Sequence, residues 1–195
     1  MTLTWSDLFV QTLRQPAEAA QVILGTPLSR GTIFTALVAG AALNSVVTGV
    51  SLQLFPLPQQ WPGFISSPLT YFVLVAVGLL LFVQLLTWAG RTVGGEGRTD
   101  DLLKLMVWLQ FVRVALQVIG LVLTVLLPVL GGLYGIAVLA LSIWIVLHFV
   151  KAGHRLSSLG SAALVLFITV VGLIVGLSLL LTLSGIGSLG VTPNV

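Results

Sequence analysis

Cysteine is absent from this 195-residue chain, and charge is scarce: Lys and Arg number eight, Asp and Glu five. Without cysteine, disulfides and thiolate metal sites are excluded, and the redox compartment leaves no mark. Charged residues make up 7% of the chain, against about 25% in an ordinary soluble domain. Hydrophobic residues make up 57%, and the mean hydropathy is +1.17. One small domain cannot hide that much apolar surface from water. A soluble globule, a disordered chain and a nucleic-acid binder are therefore excluded. The net charge of +3 falls far short of a phosphate-binding stripe. His148 and His154 stand six residues apart, whereas metal-binding helices space their ligands by three or four. The sequence has no H-E-x-x-H, P-loop or G-x-S-x-G pattern. No metal, cofactor or catalytic set is expected, and the chain reads as a non-enzyme.

What the chain does have is apolar length. Five stretches lie at about 31–55, 68–90, 102–127, 132–150 and 160–183, each near the ~20 residues a helix needs to cross the hydrocarbon core. They are rich in Leu and Ala and do not alternate as barrel strands do. The predicted fold is all-α: a polytopic integral membrane bundle of five transmembrane helices over residues 31–183. Residues 1–30 precede it as a cytoplasmic amphipathic segment, and residues 184–195 follow as a mobile tail. The first 30 residues lack the order of a signal peptide, because Asp7, Arg14 and Glu18 interrupt the place of its apolar run. Trp5, Leu8, Phe9 and Leu13 share a helical face, as in an interfacial helix lying among headgroups. Ser6 is the expected N-cap, with Asp7 in the first turn. Pro16 is expected to open a second short helix over 17–24. Four prolines in 55–68 and three glycines in 91–101 mark breaks. A tight turn is expected at Pro128–Gly131, and residues 151–158 join the last two spans.

Lys and Arg accumulate in cytoplasmic loops. Five spans put Arg14, Arg30, Arg91, Arg98, Lys104, Lys151 and Arg155 on one side of the membrane. The loops and tail on the other side carry no Lys or Arg. The expected orientation is N-terminus cytoplasmic and C-terminus outside.

Arg113 stands apart, near the middle of the third span. There an Arg costs about 2.5–3.5 kcal/mol on insertion scales. Gln110, Arg113, Gln117 and Thr124 fall on one helical face, with Met106 in line. This polar stripe either lines a cavity for an anion, a headgroup or a substrate, or is satisfied by neighbouring helices. Candidate partners are Asn44 and Thr48 in the first span, Gln84 in the second and His148 in the fourth. Arg113 has a third option, reaching toward the cytoplasmic interface to pair with Asp100, Asp101 or Glu18. Asp100 and Asp101 read as helix N-terminal residues. With Glu96 they also form a candidate cytoplasmic ion or partner site. Small residues at four-residue spacing (Ala36–Gly40–Asn44, Gly131–Gly135, Gly172–Gly176) permit close helix approach, within the chain or between copies.

A Pro-containing amphipathic segment (LRQPAEAAQVIL), five closely spaced spans and a Gly-rich entry into the third span (GGEGRTDDLLKLMVW) together set a pattern. It resembles the Yip family of Ypt/Rab-interacting membrane proteins, in its bacterial branch, over roughly residues 10–183. The resemblance implies residence in the cytoplasmic (inner) membrane of a bacterium. For eukaryotic members it implies Rab GTPase binding and hetero-oligomers, through an acidic-aromatic D-L-Y-G-P motif. Here Thr12–Pro16 (TLRQP) keeps only the proline, and Gly132–Gly135 (GLYG) is a faint echo. Rab-type binding is therefore not carried over.

The absence of reactive groups and the interfacial N-terminal segment favour a non-enzymatic scaffold or membrane-organising protein. Its expected partners are the lipid bilayer, other membrane proteins or a second copy, and not nucleic acid. The alternative is a small, dimeric transporter or channel using the Arg113 stripe.

Overall fold

A computed structural model describes residues 4–56 and 67–183. Its described residues form seven α-helices and no strand. Two are short, α1 (Trp5–Arg14) and α2 (Pro16–Gly25). Five are long: α3 (Arg30–Leu54), α4 (Pro68–Thr92), α5 (Thr99–Leu126), α6 (Pro128–His154) and α7 (Leu159–Leu183). All five are long and apolar enough to cross a membrane. The fold is thus an all-helical, five-span membrane bundle. The 184–195 tail, expected to be mobile, lies outside the described residues.

Most helix starts follow local capping chemistry. Thr4, not Ser6, caps α1. The Thr4 hydroxyl accepts from the Asp7 amide at 3.2 Å, and Asp7 accepts from the Thr4 amide at 3.1 Å. A capping box needs an acidic or amide residue three positions on; Thr4 has Asp7 there, whereas Ser6 has Phe9. Ser29, Ser67 and Ser158 cap α3, α4 and α7 through the amides of Thr32, Thr70 and Ser161. Pro16, Pro68 and Pro128 each occupy a first helical position, where a missing N–H costs nothing. For Pro128 this overturns the expected turn at Pro128–Gly131. The chain reverses at Leu127 alone, and α6 begins at once.

The five spans follow one another around the bundle in the order α3, α4, α7, α6, α5, with α4 also meeting α5. Two ends differ in charge. The end where α3, α5 and α7 begin carries every Asp and Glu and every Lys and Arg except Arg113. The other end carries none. The core is concentrated in the charged half: Ile33, Leu86, Leu105, Ile145, Phe149 and Val165 are all buried there.

The N-terminal pair packs onto this same end. Ala19, Ala20 and Ile23 of α2 are buried, with α2 lying against α6 and α5. Trp5 stacks on Trp108 of α5 with ring centroids 5.9 Å apart. The Trp108 indole N–H donates to the buried Thr12 hydroxyl at 2.9 Å. The Lys104 ammonium donates to the Thr26 carbonyl at 3.3 Å. The amphipathic segment thus gives much of its inward face to protein rather than to headgroups.

The Gly-rich loop between α4 and α5 closes around one side chain. His154, fully buried at the end of α6, fills a socket made by Gly90, Gly95 and Gly97. A Cβ at Gly90 or Gly97 would run into its imidazole ring. Nε2 lies 3.1 Å from the Leu86 carbonyl, and the His154 carbonyl accepts from the Glu96 amide at 3.0 Å. Gly94 turns the loop at φ +87°, a conformation that only glycine adopts freely.

Candidate functional site

In the uncharged half the spans do not fill their centre. A cavity of about 920 Å³ lies among all five, near the upper end of the roughly 300–1,000 Å³ of small-molecule sites. The stripe of α5 is one wall: Gln110, Arg113, Gln117 and Thr124 all line it. Asn44 of α3, Tyr71 of α4 and Tyr134 and Ser142 of α6 add polar groups. The rest of the lining is apolar, with Leu79, Phe82, Leu116, Val138 and Leu173 among it.

The polar groups divide by height. Toward the uncharged end several are satisfied. The Thr124 hydroxyl donates to the Gly120 carbonyl at 2.8 Å, the Tyr134 hydroxyl to the Leu116 carbonyl at 2.8 Å, and Ser51 to the Val47 carbonyl at 2.8 Å. Gln117 donates to Thr48 at 3.1 Å. At mid-span they are not. Gln110 is 7% exposed and Asn44 8%, yet among the described residues neither polar atom of the Gln110 amide nor the Asn44 Oδ1 has a partner. Such an atom costs about 1–3 kcal/mol. Gly40 makes room for the Gln110 amide, since a Cβ there would come within 3.3 Å of its Cδ.

Arg113 is exposed where it lines the cavity. It has no ion pair or hydrogen bond among the described residues. The candidate carboxylates are engaged elsewhere. Asp100 accepts from Arg30 at 2.9 Å, Asp101 lies 3.9 Å from Lys104, and Glu18 accepts from Gln11 at 3.4 Å. Asp101, twelve residues back along α5, is roughly 18 Å away along the axis. No Arg side chain spans that distance, so Arg113 does not pair at the interface.

A family model described as the Yip1 domain matches residues 10–180. The chain belongs to the Yip1 domain family. No curated protein and no solved structure matches it.

In this Yip1-family bundle two of the anticipated partners of the stripe, Gln84 and His148, lie elsewhere. Gln84 is exposed on α4, away from the cavity lining. His148 meets the Trp144 ring edge-on at 5.2 Å and does not line the cavity. The acidic loop residues do not converge either. Glu96 pairs with Arg155 at 3.6 Å across two exposed side chains. Asp100 and Asp101 sit in the first turn of α5 without capping it through a side chain. No group of three metal-ligating side chains occurs among the described residues.

Tyr134 was not anticipated. Its ring enters beside Gly120, where a Cβ would meet Tyr134 Cε1 at 2.9 Å. The one sequence signal was a glycine on α5 close to the polar stripe. Among the small-residue pairs, Gly131 packs on Thr124 and Gly40 on Gln110, while Gly135, Gly172 and Gly176 face open space.

Proposed function

We propose that this Yip1-family membrane protein is a ligand-holding carrier or channel whose intramembrane cavity is organised around Arg113. This reverses the preference for a scaffold drawn from the sequence. One observation carries the reading: a guanidinium near mid-membrane lines a large cavity and has no counter-charge among the described residues. A purely structural Arg would be satisfied by neighbouring helices. The proposed setting is a bacterial cytoplasmic membrane, with the charged end cytoplasmic. The gathering of seven of the eight Lys and Arg at that end supports that orientation. Rab-type GTPase binding forms no part of the reading.

The test uses the absence of native cysteine. Ser142→Cys, on the cavity wall, should react with an impermeant maleimide added from the uncharged side. Val77→Cys, exposed but outside the lining, should face lipid and stay unlabelled. Equal protection of both would remove the open cavity and this function with it. Labelling of Ser142→Cys only from the charged side would overturn the access route.

A scaffold role keeps one specific support. Trp5 and Val10 remain exposed on α1, Trp5 at 78%, and offer an apolar edge to headgroups or a partner protein. Crosslinked partners lost on changing Trp5→Ala and Val10→Ser, with the fold intact, would favour that role.

A further inference from the structure

We infer that the cavity takes an amphipathic anion: carboxylate or phosphate oxygens bound at the Arg113–Gln110 band, with an apolar body in the rest of the space. The inference rests on the ligand-holding reading and names its substrate class.

Three observations point the same way. The first is charge. All five side-chain carboxylates lie at the charged end, and those nearest α5 are paired there. Among the described residues the cavity therefore holds one positive charge and no negative one. The second is the unmet hydrogen bonding. Arg113 presents guanidinium donors, and one helical turn away the Gln110 Nε2 is a buried donor without a partner. Anionic oxygens satisfy both at once, through charge-assisted hydrogen bonds. The Asn44 Oδ1, an orphaned acceptor in the same lining, suits a protonated oxygen or a hydroxyl beside the anionic group.

The third observation is the distribution of polarity. The buried unpaired groups of the lining, Gln110 and Asn44, lie in one band with Arg113. Phe82, Met106 and Val146 lie on its charged side, and Leu74, Leu121 and Leu139 on the other. A small hydrated ion would use the band and leave most of the 920 Å³ without suitable contacts. A neutral lipid would fill the apolar walls and leave Arg113 without a counter-charge. An anionic head on a hydrocarbon body answers both. Its source is either a free acid or the headgroup of a membrane lipid, and both offer the same anionic oxygens.

The full chain in phosphatidylcholine nanodiscs is titrated with dodecanoate, dodecyl phosphate and dodecanol. Both anions should bind more tightly than the alcohol. Arg113→Gln should weaken the anions about ten- to a hundredfold, the loss expected for a charged hydrogen-bonding partner, while leaving the alcohol unchanged. Gln110→Leu should weaken the anions by a smaller factor. Thermal unfolding of each variant checks folding, and if Arg113→Gln does not fold, Gln110→Leu carries the test. Phosphatidylglycerol in the nanodisc distinguishes the sources: competition with dodecanoate assigns the site to a lipid headgroup, and no competition to a free acid. Dodecanol binding as tightly as dodecanoate overturns the anion proposal and leaves the ligand-holding reading standing. So does anion affinity unmoved by Arg113→Gln and Gln110→Leu. Failure of every probe to bind, together with an unlabelled Ser142→Cys, removes both.

Discussion

The two halves of this bundle are built from the same five helices and the same apolar residue types, yet only one is solid. In the charged half, Leu86, Leu105, Ile145, Phe149 and Val165 interlock, and His154 fills its glycine socket. In the uncharged half the helices surround a cavity and turn Leu126, Val129, Ile136 and Leu179 outward. Apolar composition does not separate them. Within a bilayer, lipid tails solvate leucine as well as another leucine does, so helices associate where shape and hydrogen bonds allow it. The charged half has those devices in its glycines, its buried histidine and the docked N-terminal pair. The exposed ion pairs at its edge add little, because pairs such as Arg155–Glu96 are worth about 0–1 kcal/mol.

The sharpest way to break this contrast uses one residue type on one helix. Ile145 is fully buried and Ile136 is 69% exposed, both on α6. Ile145→Ala should cost about 2–5 kcal/mol, and Ile136→Ala no more than about 0.5 kcal/mol, read by unfolding in detergent. Equal losses would mean that the halves are equally packed.

Glycine gives a second contrast. Gly90→Ala drives a methyl group into the His154 ring and should cost about 1–3 kcal/mol by overpacking. Adding His154→Ala should recover part of the loss. Gly135→Ala meets open space and should be neutral or stabilising by up to about 1 kcal/mol through helix propensity.

The docked N-terminal pair is weaker. Trp108→Phe removes the donor to Thr12 and should loosen the pair by about 0.5–1.5 kcal/mol. Faster proteolysis at residues 26–29, with the spans intact, is the expected sign.

The smallest effect concerns acidity. Hydrogen bonds from the Thr4 hydroxyl and amide hold the Asp7 carboxyl below its ordinary value of 3.8. A lowered carboxyl stabilises the folded form at pH above the unfolded value, and that contribution disappears as pH falls through the folded value. The first turn of α1 should therefore fray below about pH 4, seen as faster amide exchange at Asp7. Asp7→Asn should fray at neutral pH and lose this acid dependence.

Much of the fold could be read from the sequence, because a helix in hydrocarbon announces itself by apolar length alone. The errors lay at the ends. The expected turn at Pro128–Gly131 is helical because proline is welcome at a first position, and the α1 cap sits at Thr4 because only there does an acidic residue follow at the right interval. The polar stripe from Gln110 to Thr124 was visible as a period. Its surroundings were not. Gln84 and His148 are as polar as Asn44 and Thr48, and nothing in their spacing tells which side of α4 or α6 they occupy.

The sequence by itself determined that this chain lives in a bilayer, how many helices cross it, and that one arginine stands alone among them. Those are properties of composition and period, set residue by residue against the solvent. Whether that arginine meets a carboxylate, a neighbouring helix or an open cavity was decided only by how the five helices are rotated and where they part. That depends on contacts such as Gly90 with His154 and Gly40 with Gln110, each joining positions at least 64 residues apart. No single segment encodes them, because shape complementarity exists only once both surfaces are in place.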